Sequence, residues 1–166
     1  MGYSTRAGRV GQFRTVIDVI PVITAGAYSV NDALGGQLQF AAASVGAGDT
    51  GVIELVRIVD RAQQQVSLDL VFFDQAFTAT ADNAPFDPTD ADLENCLGWF
   101  NVPQSAYNNF AGNAVALVAP LGVDGRGFPF WTVGTDSLYA QLVVRSGPPT
   151  FVATSDIRVR LLVRRD

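Results

Sequence analysis

The chain has 166 residues and a net charge of −5, from sixteen acidic residues and eleven basic ones, all eleven of them arginine. It contains no histidine, no lysine and one cysteine (Cys96), which excludes an internal disulfide or a cysteine metal cluster and leaves mainly carboxylates and hydroxyls for chemistry near neutral pH. Only 16% of residues are charged and 48% are hydrophobic, against about 25% charged in an average soluble domain, so part of the surface is expected to be covered by partners.

Residues 1–12 carry Arg6 and Arg9 and read as an extended N-terminal arm that a partner orders, with 13–166 as one domain. Arg14 and Asp18 interrupt the first apolar stretch, which argues against a signal peptide. Arg6 occupies the position where myristoylation needs Ser or Thr. No apolar run approaches the ~18 residues of a bilayer span, so synthesis in a reducing cytosol without a membrane partner is expected.

Phe13–Ile20 is the first β-branched-rich strand. Val22–Ala27 and Gly36–Ala41 alternate less regularly, with a turn at Gly35-Gly36. Gly46-Ala47-Gly48-Asp49-Thr50-Gly51 fits a dinucleotide-binding G-x-G-x-x-G. That motif requires a helix to follow it, and Val52–Val59 is a strand run, so the segment reads as a turn. Gly51–Asp60 is a strand, and Val66-Ser67-Leu68-Asp69-Leu70 alternates cleanly into Val71-Phe72-Phe73.

After a turn at Asp82-Asn83, Thr89 caps a helix over Asp90–Leu97. Asp92 is the capping-box acid and Gly98 the closing residue. A second short helical turn is expected within Gln104–Phe110, and a strand over Ala114–Ala119. Gly125-Arg126-Gly127 is a turn. Leu138, Ala140, Leu142 and Val144 then oppose Tyr139, Gln141, Val143 and Arg145. Past Gly147-Pro148-Pro149 the last strand sets Ile157, Val159, Leu161 and Val163 against Arg158, Arg160, Leu162 and Arg164. Many short strands with Gly/Pro punctuation make the fold all-β: a jelly-roll-like antiparallel β-sandwich with one or two short helices.

Charge is unevenly spread. Residues 1–61 are neutral, 62–125 hold eight acids and no base, and 126–166 hold six arginines against three aspartates. Copies could pair head to tail, or the two patches could meet within one fold or simply be solvated. The acids Asp82, Asp87, Asp90, Asp92 and Glu94 lack the EF-hand spacing and read as helix-start residues on a solvated loop; no metal or cofactor is expected. No carboxylate pair stands out for glycoside hydrolysis. Trp99, Phe100, Tyr107, Phe110, Phe128, Phe130 and Trp131 suit a core or interface more than a sugar platform. Arg158, Arg160, Arg164 and Arg165 form a basic edge on one strand, and Arg6, Arg9 and Arg14 a basic arm. With net charge −5 and no lysine, such clusters fit carboxylates of a neighbouring subunit better than nucleic-acid phosphate, and Arg6, Arg9, Arg14, Arg158, Arg160 and Arg164 are the candidate partner-binding residues.

A succession of short stretches carries a resemblance: Tyr28-Ser29 to Leu34-Gly35-Gly36; Gly51-Val52-Ile53 with Arg57-Ile58-Val59-Asp60; Leu70 to Asp74; Asp82-Asn83-Ala84-Pro85-Phe86; Asp90 to Leu97-Gly98; Ser137 to Val143; and Ala153-Thr154-Ser155-Asp156. In that order and spacing, over most of 15–164, the chain resembles auxiliary head proteins of tailed bacteriophages. The resemblance implies a decoration or cement protein made in the bacterial host cytoplasm. It would be a homotrimer bound to the major capsid protein on the outer surface of the virion, and not an enzyme. A head-fibre or tail-associated receptor or glycan binder is the alternative, and a carboxylate-based hydrolase a more distant one.

Overall fold

A computed structural model describes residues 13–120, 125 and 127–165. The expected arm, with Arg6 and Arg9, lies outside the described residues. Among the described residues ten strands form two antiparallel sheets: β1 (Phe13–Val19), β2 (Ala33–Phe40), β3 (Thr50–Asp60), β4 (Leu68–Phe73), β5 (Cys96–Val102), β6 (Tyr107–Phe110), β7 (Asn113–Val118), β8 (Phe128–Trp131), β9 (Leu138–Val144) and β10 (Ile157–Arg165). One sheet runs β1-β10-β3-β7-β6, with β8 also on β3; the other runs β2-β9-β4-β5. The far edge of β3 is divided, β8 pairing with Thr50–Ile53 and β7 with Val56–Asp60.

The antiparallel partners nest: β1 with β10, β2 with β9, β3 with β7 and β8, β4 with β5. One long hairpin with its tip at β4–β5 has folded over, so that β10 also pairs with β3 and β9 with β4. That wrapping is the jelly-roll arrangement expected from the sequence.

The main core fills the space between the sheets. Ile53, Val56, Ile58, Val159, Leu161 and Val163 come from one sheet, and Leu34, Phe40, Leu68, Leu70, Phe72, Leu138 and Leu142 from the other. The period-2 reading of the last strand holds along β10, where buried and half-buried residues alternate. It fails on β4 and β9, which are buried at every position. The reason is a second, smaller core on the outer face of the four-stranded sheet. There Val71, Phe73, Tyr139 and Val143 pack with Phe77, and Ala79 and Phe86 close over them. The segment joining β4 to β5 thus covers a face that alternation alone would leave to solvent.

Two polar nodes hold that cover in place. Gln141, fully buried, donates from Nε2 to Gly35 O (2.9 Å) and Thr80 O (2.7 Å) and accepts at Oε1 from Thr80 N (3.1 Å). Asp82 accepts from Thr24 N (2.7 Å), Thr24 Oγ1 (2.6 Å), the Tyr28 hydroxyl (2.8 Å) and Gly35 N (2.6 Å). Asp82 is therefore a structural acceptor and not the solvated loop acid that its sequence context suggests. Burial, and then the Asp82 carboxylate, push the Tyr28 hydroxyl above its ordinary pKa.

Several local expectations are corrected. Thr89 does cap the helix, α1 (Asp90–Leu93), accepting from Asp92 N (3.2 Å) and donating to Asp92 Oδ2 (2.7 Å). But α1 spans only Asp90–Leu93, because Cys96 onward pairs with β4. Gly98 sits inside β5 at φ +122, beside the register shift at Phe72/Phe73, instead of closing the helix. The second helical turn is confined to a 3-10 turn at Gln104–Ala106, and 107–110 is β6. Val22–Ala27 is no strand; a single bridge, Ala27 to Thr150, is its only ladder contact among the described residues. Gly51 has a packing role: a Cβ there would lie 2.5 Å from Phe130 Cζ and 3.0 Å from Arg164 O.

Candidate partner-binding surface

The outward face of the six-stranded sheet gathers all four of the described candidate arginines. Its rows follow from register. Val16, Leu162 and Leu55 lie side by side across β1, β10 and β3. Asp18, Arg160, Arg57 and Leu117 form the next row, and Arg158, Val59, Val115 and Asn108 the one after. An apolar strip thus runs among guanidiniums. Val16 and Leu117 are its most open members, at 56% and 57% exposure.

The carboxylates on this face are already engaged. Glu54 takes Arg14 in a fork, from Nε at 2.7 Å and Nη2 at 3.1 Å, with Arg164 Nε 3.5 Å away. Asp18 takes Arg160 likewise, from Nε at 2.8 Å and Nη2 at 2.6 Å. Arg158 Nε is 3.4 Å from Asp18 Oδ1, close enough for attraction but out of line for a hydrogen bond. The hydrogen bond from Arg160 is the main cause that holds the Asp18 carboxyl below the usual carboxylate range. The charges of Arg160, Arg158 and Arg57 act in the same direction, against desolvation.

Of the candidates marked by the sequence, Arg14, Arg158, Arg160 and Arg164 therefore share one sheet face, and each lies within ion-pair distance of a carboxylate of the same chain. Arg57 and Arg61 were missed. With Asp18, Val59, Arg158 and Arg160 they line a concavity of about 160 Å³. The signal was scrambled by a β-bulge. Opposite Leu162/Val163 the register skips Glu54, so Ile53 and Val56 both reach the core and Leu55, Arg57 and Val59 all face outward. Strict alternation from Gly51 cannot give that set.

The aromatics divide. Phe128, Phe130, Phe100 and Tyr107 belong to the core, whereas Trp99, Phe110 and Trp131 are exposed. Trp131 donates from Nε1 to Asp74 Oδ2 at 2.9 Å, which fixes its ring at the surface. Among the described residues no cluster of three or more metal-ligating side chains occurs, and no helix is long and apolar enough to cross a membrane.

No protein-family profile and no curated protein matches the chain. Among solved structures, it is similar to a chain of the virus-like particle of the extra small virus of the giant freshwater prawn Macrobrachium rosenbergii. Identity is 14% and the TM-score 0.37, over 100% of this chain and 87% of that one. A chain of a marine algae virus of the order Picornavirales is similar at 14% identity and TM-score 0.24, over 92% of this chain and 68% of that one. Likeness at this level assigns neither a family nor a role.

Proposed function

We propose that the chain is a viral structural protein, a decoration or cement protein on the outer surface of a tailed-phage head that stabilises contacts between major capsid subunits. The observation that carries the reading is the outward face of the six-stranded sheet. An apolar strip (Val16, Leu162, Leu55, Leu117) lies among arginines, the composition of an interface core. The resemblance of the stretches from Tyr28 to Asp156 to auxiliary head proteins supports the same reading, and a jelly roll is a fold that suits it. In this reading the role is non-enzymatic and the protein assembles as a homotrimer. Arg6 and Arg9 extend an arm over a neighbouring subunit, and Arg14, in β1, contributes from the sheet with Arg158, Arg160 and Arg164. Each copy that binds only the assembled shell stabilises it by mass action.

The test is a symmetry-averaged cryo-EM map of purified particles, with copy number from quantitative mass spectrometry. Hundreds of ordered copies bridging capsid subunits are expected; a handful of copies at the tail or one vertex would overturn the reading. Deleting residues 1–12 is expected to weaken particle association and leave the sandwich folded. The joint change Arg158→Glu and Arg160→Glu is expected to impair assembly more than folding.

A head-fibre or tail-associated glycan binder is the second reading. Exposed Trp99 and Trp131 favour it, the latter held by Asp74 in the manner of a stacking platform. Saturable quenching of tryptophan fluorescence by host-surface glycans, lost in Trp131→Ala, would select it.

A further inference from the structure

Of the arginines on the outward face of the six-stranded sheet, two stand apart. Arg14 and Arg160 place Nε on a carboxylate oxygen, at 2.7 and 2.8 Å, and on the opposite sheet Arg145 does the same with Asp69 at 2.6 Å. Arg57 Nε and Arg158 Nε are buried and make no hydrogen bond, although Arg158 Nε lies 3.4 Å from Asp18 Oδ1. (Arg165 Nε also lacks one, but its Nη1 donates to Ala42 O, away from this site.) A buried donor without an acceptor costs about 1–3 kcal/mol, so two such donors in one place call for an explanation.

Both arginines line the same concavity of about 160 Å³. Its walls are Arg57, Val59 and Arg61 of β3 and the residue after it, Arg158 and Arg160 of β10, and Asp18 of β1. Four guanidiniums face one carboxylate, and that carboxylate is already forked by Arg160. The site therefore carries an excess of three positive charges around a space large enough for a small oxyanion. Val59 supplies an apolar floor, in register with Arg158 on one side and Val115 on the other.

We infer that this pocket is an oxyanion site completed by a carboxylate side chain of a partner protein, which takes the place that Asp18 and Glu54 occupy for the neighbouring arginines. The planar guanidinium fork matches a carboxylate, and Arg14, Arg160 and Arg145 each use Nε in that way. A net charge of −5 repels an extended polyanion, whereas a local well of positive charge on an acidic protein still accepts one anionic side chain. The inference rests on the reading of this face as a partner surface and names the chemistry that the partner must bring.

The test uses the full-length chain, ¹⁵N-labelled, with the arginine Nε–Hε resonances followed by NMR at constant ionic strength. Glutarate, inorganic phosphate and chloride are the probes. Saturable shifts of Arg57 and Arg158 Nε with glutarate are expected, with Arg14 and Arg164 little affected. Arg57→Gln and, separately, Arg158→Gln should each weaken the response of the remaining arginine about tenfold, the order of one charge-assisted hydrogen bond. Equal, unsaturable shifts with all three anions would reduce the effect to screening and overturn the inference. Tighter binding of phosphate than of glutarate would overturn the carboxylate assignment. Neither failure touches the capsid reading, which is decided by copy number on particles.

Discussion

Replacing Asp82 with asparagine tests whether the cover over the four-stranded sheet depends on a group that only accepts hydrogen bonds. The two carboxylate oxygens divide the backbone donors: Oδ1 takes Gly35 N–H at 2.6 Å and Oδ2 takes Thr24 N–H at 2.7 Å. The Thr24 and Tyr28 hydroxyls on the same carboxylate can rotate their protons, but the two backbone donors cannot. Whichever way the substituted side-chain amide flips, its NH₂ meets one of those N–H groups. The less costly flip turns the NH₂ toward Thr24 N, which also has the Tyr28 oxygen at 2.7 Å, and leaves an oxygen for Gly35 N–H. Losing one charge-assisted bond costs about 1.5–3 kcal/mol, and partial exposure of Asp82 puts the expected loss nearer the lower figure. For a chain of this size that lowers Tm by roughly 3–6 °C. Urea denaturation followed by circular dichroism reads the stability, and hydrogen exchange at the Thr24 amide reads the site, with the Gly35 amide as the internal control. A variant within about 0.5 kcal/mol of the parent, with Thr24 still protected, would refute the all-acceptor argument.

Gly51→Ala should destabilise by about 1–3 kcal/mol through overpacking against Phe130, and adding Phe130→Leu should recover part of that loss; thermal melts of the three variants check it. Phe72→Ala, in the main core, should cost about 3–5 kcal/mol by denaturant titration. The Asp18 carboxyl titrates below its unfolded value, so its stabilising contribution is present above that value and disappears as pH falls through the folded one. Arg160→Gln should move the Asp18 pKa upward in a ¹³C carboxyl titration and flatten that part of the acid limb. Asp60 behaves in the opposite sense. Burial raises its pKa, so the folded state holds the proton more tightly and stability falls as pH rises between the unfolded and folded values. A ¹³C titration of Asp60 that gave an ordinary carboxylate value would refute this. Val16→Glu and Leu117→Glu should leave folding within about 0.5 kcal/mol of the parent, as surface changes do, yet abolish particle association in a sedimentation assay if the sheet face is the interface.

The strands with one solvent face were legible because each residue's partner environment repeats every second position. β1, β3 and β10 appear within a residue or two of their expected bounds. Thr89 and Asp92 were legible because a helix cap is a local exchange of hydrogen bonds. β5, β6 and β8 were not. Their residues, such as Cys96-Leu97-Gly98-Trp99-Phe100, satisfy no clean period and become strands only because β4, β7 and β3 offer them edges. For the candidate surface, the sequence marked Arg14, Arg158, Arg160 and Arg164. Arg57 and Arg61 joined them only through the bulge opposite Leu162/Val163 and the register of β3 against β10.

The amino-acid sequence by itself determined the all-β character, the sandwich class and the arginine-only chemistry of the basic residues, since these depend on residue type and on spacing along one strand. The tertiary structure alone decided which strands pair, that β4 and β9 are buried on both faces, that Asp82 is an acceptor node, and that four arginines surround one engaged carboxylate. Those features join residues far apart in the chain, from Thr24 to Asp82 and from Asp18 to Arg160. No local pattern encodes them, because the energy that selects them exists only once the sheets have closed on each other.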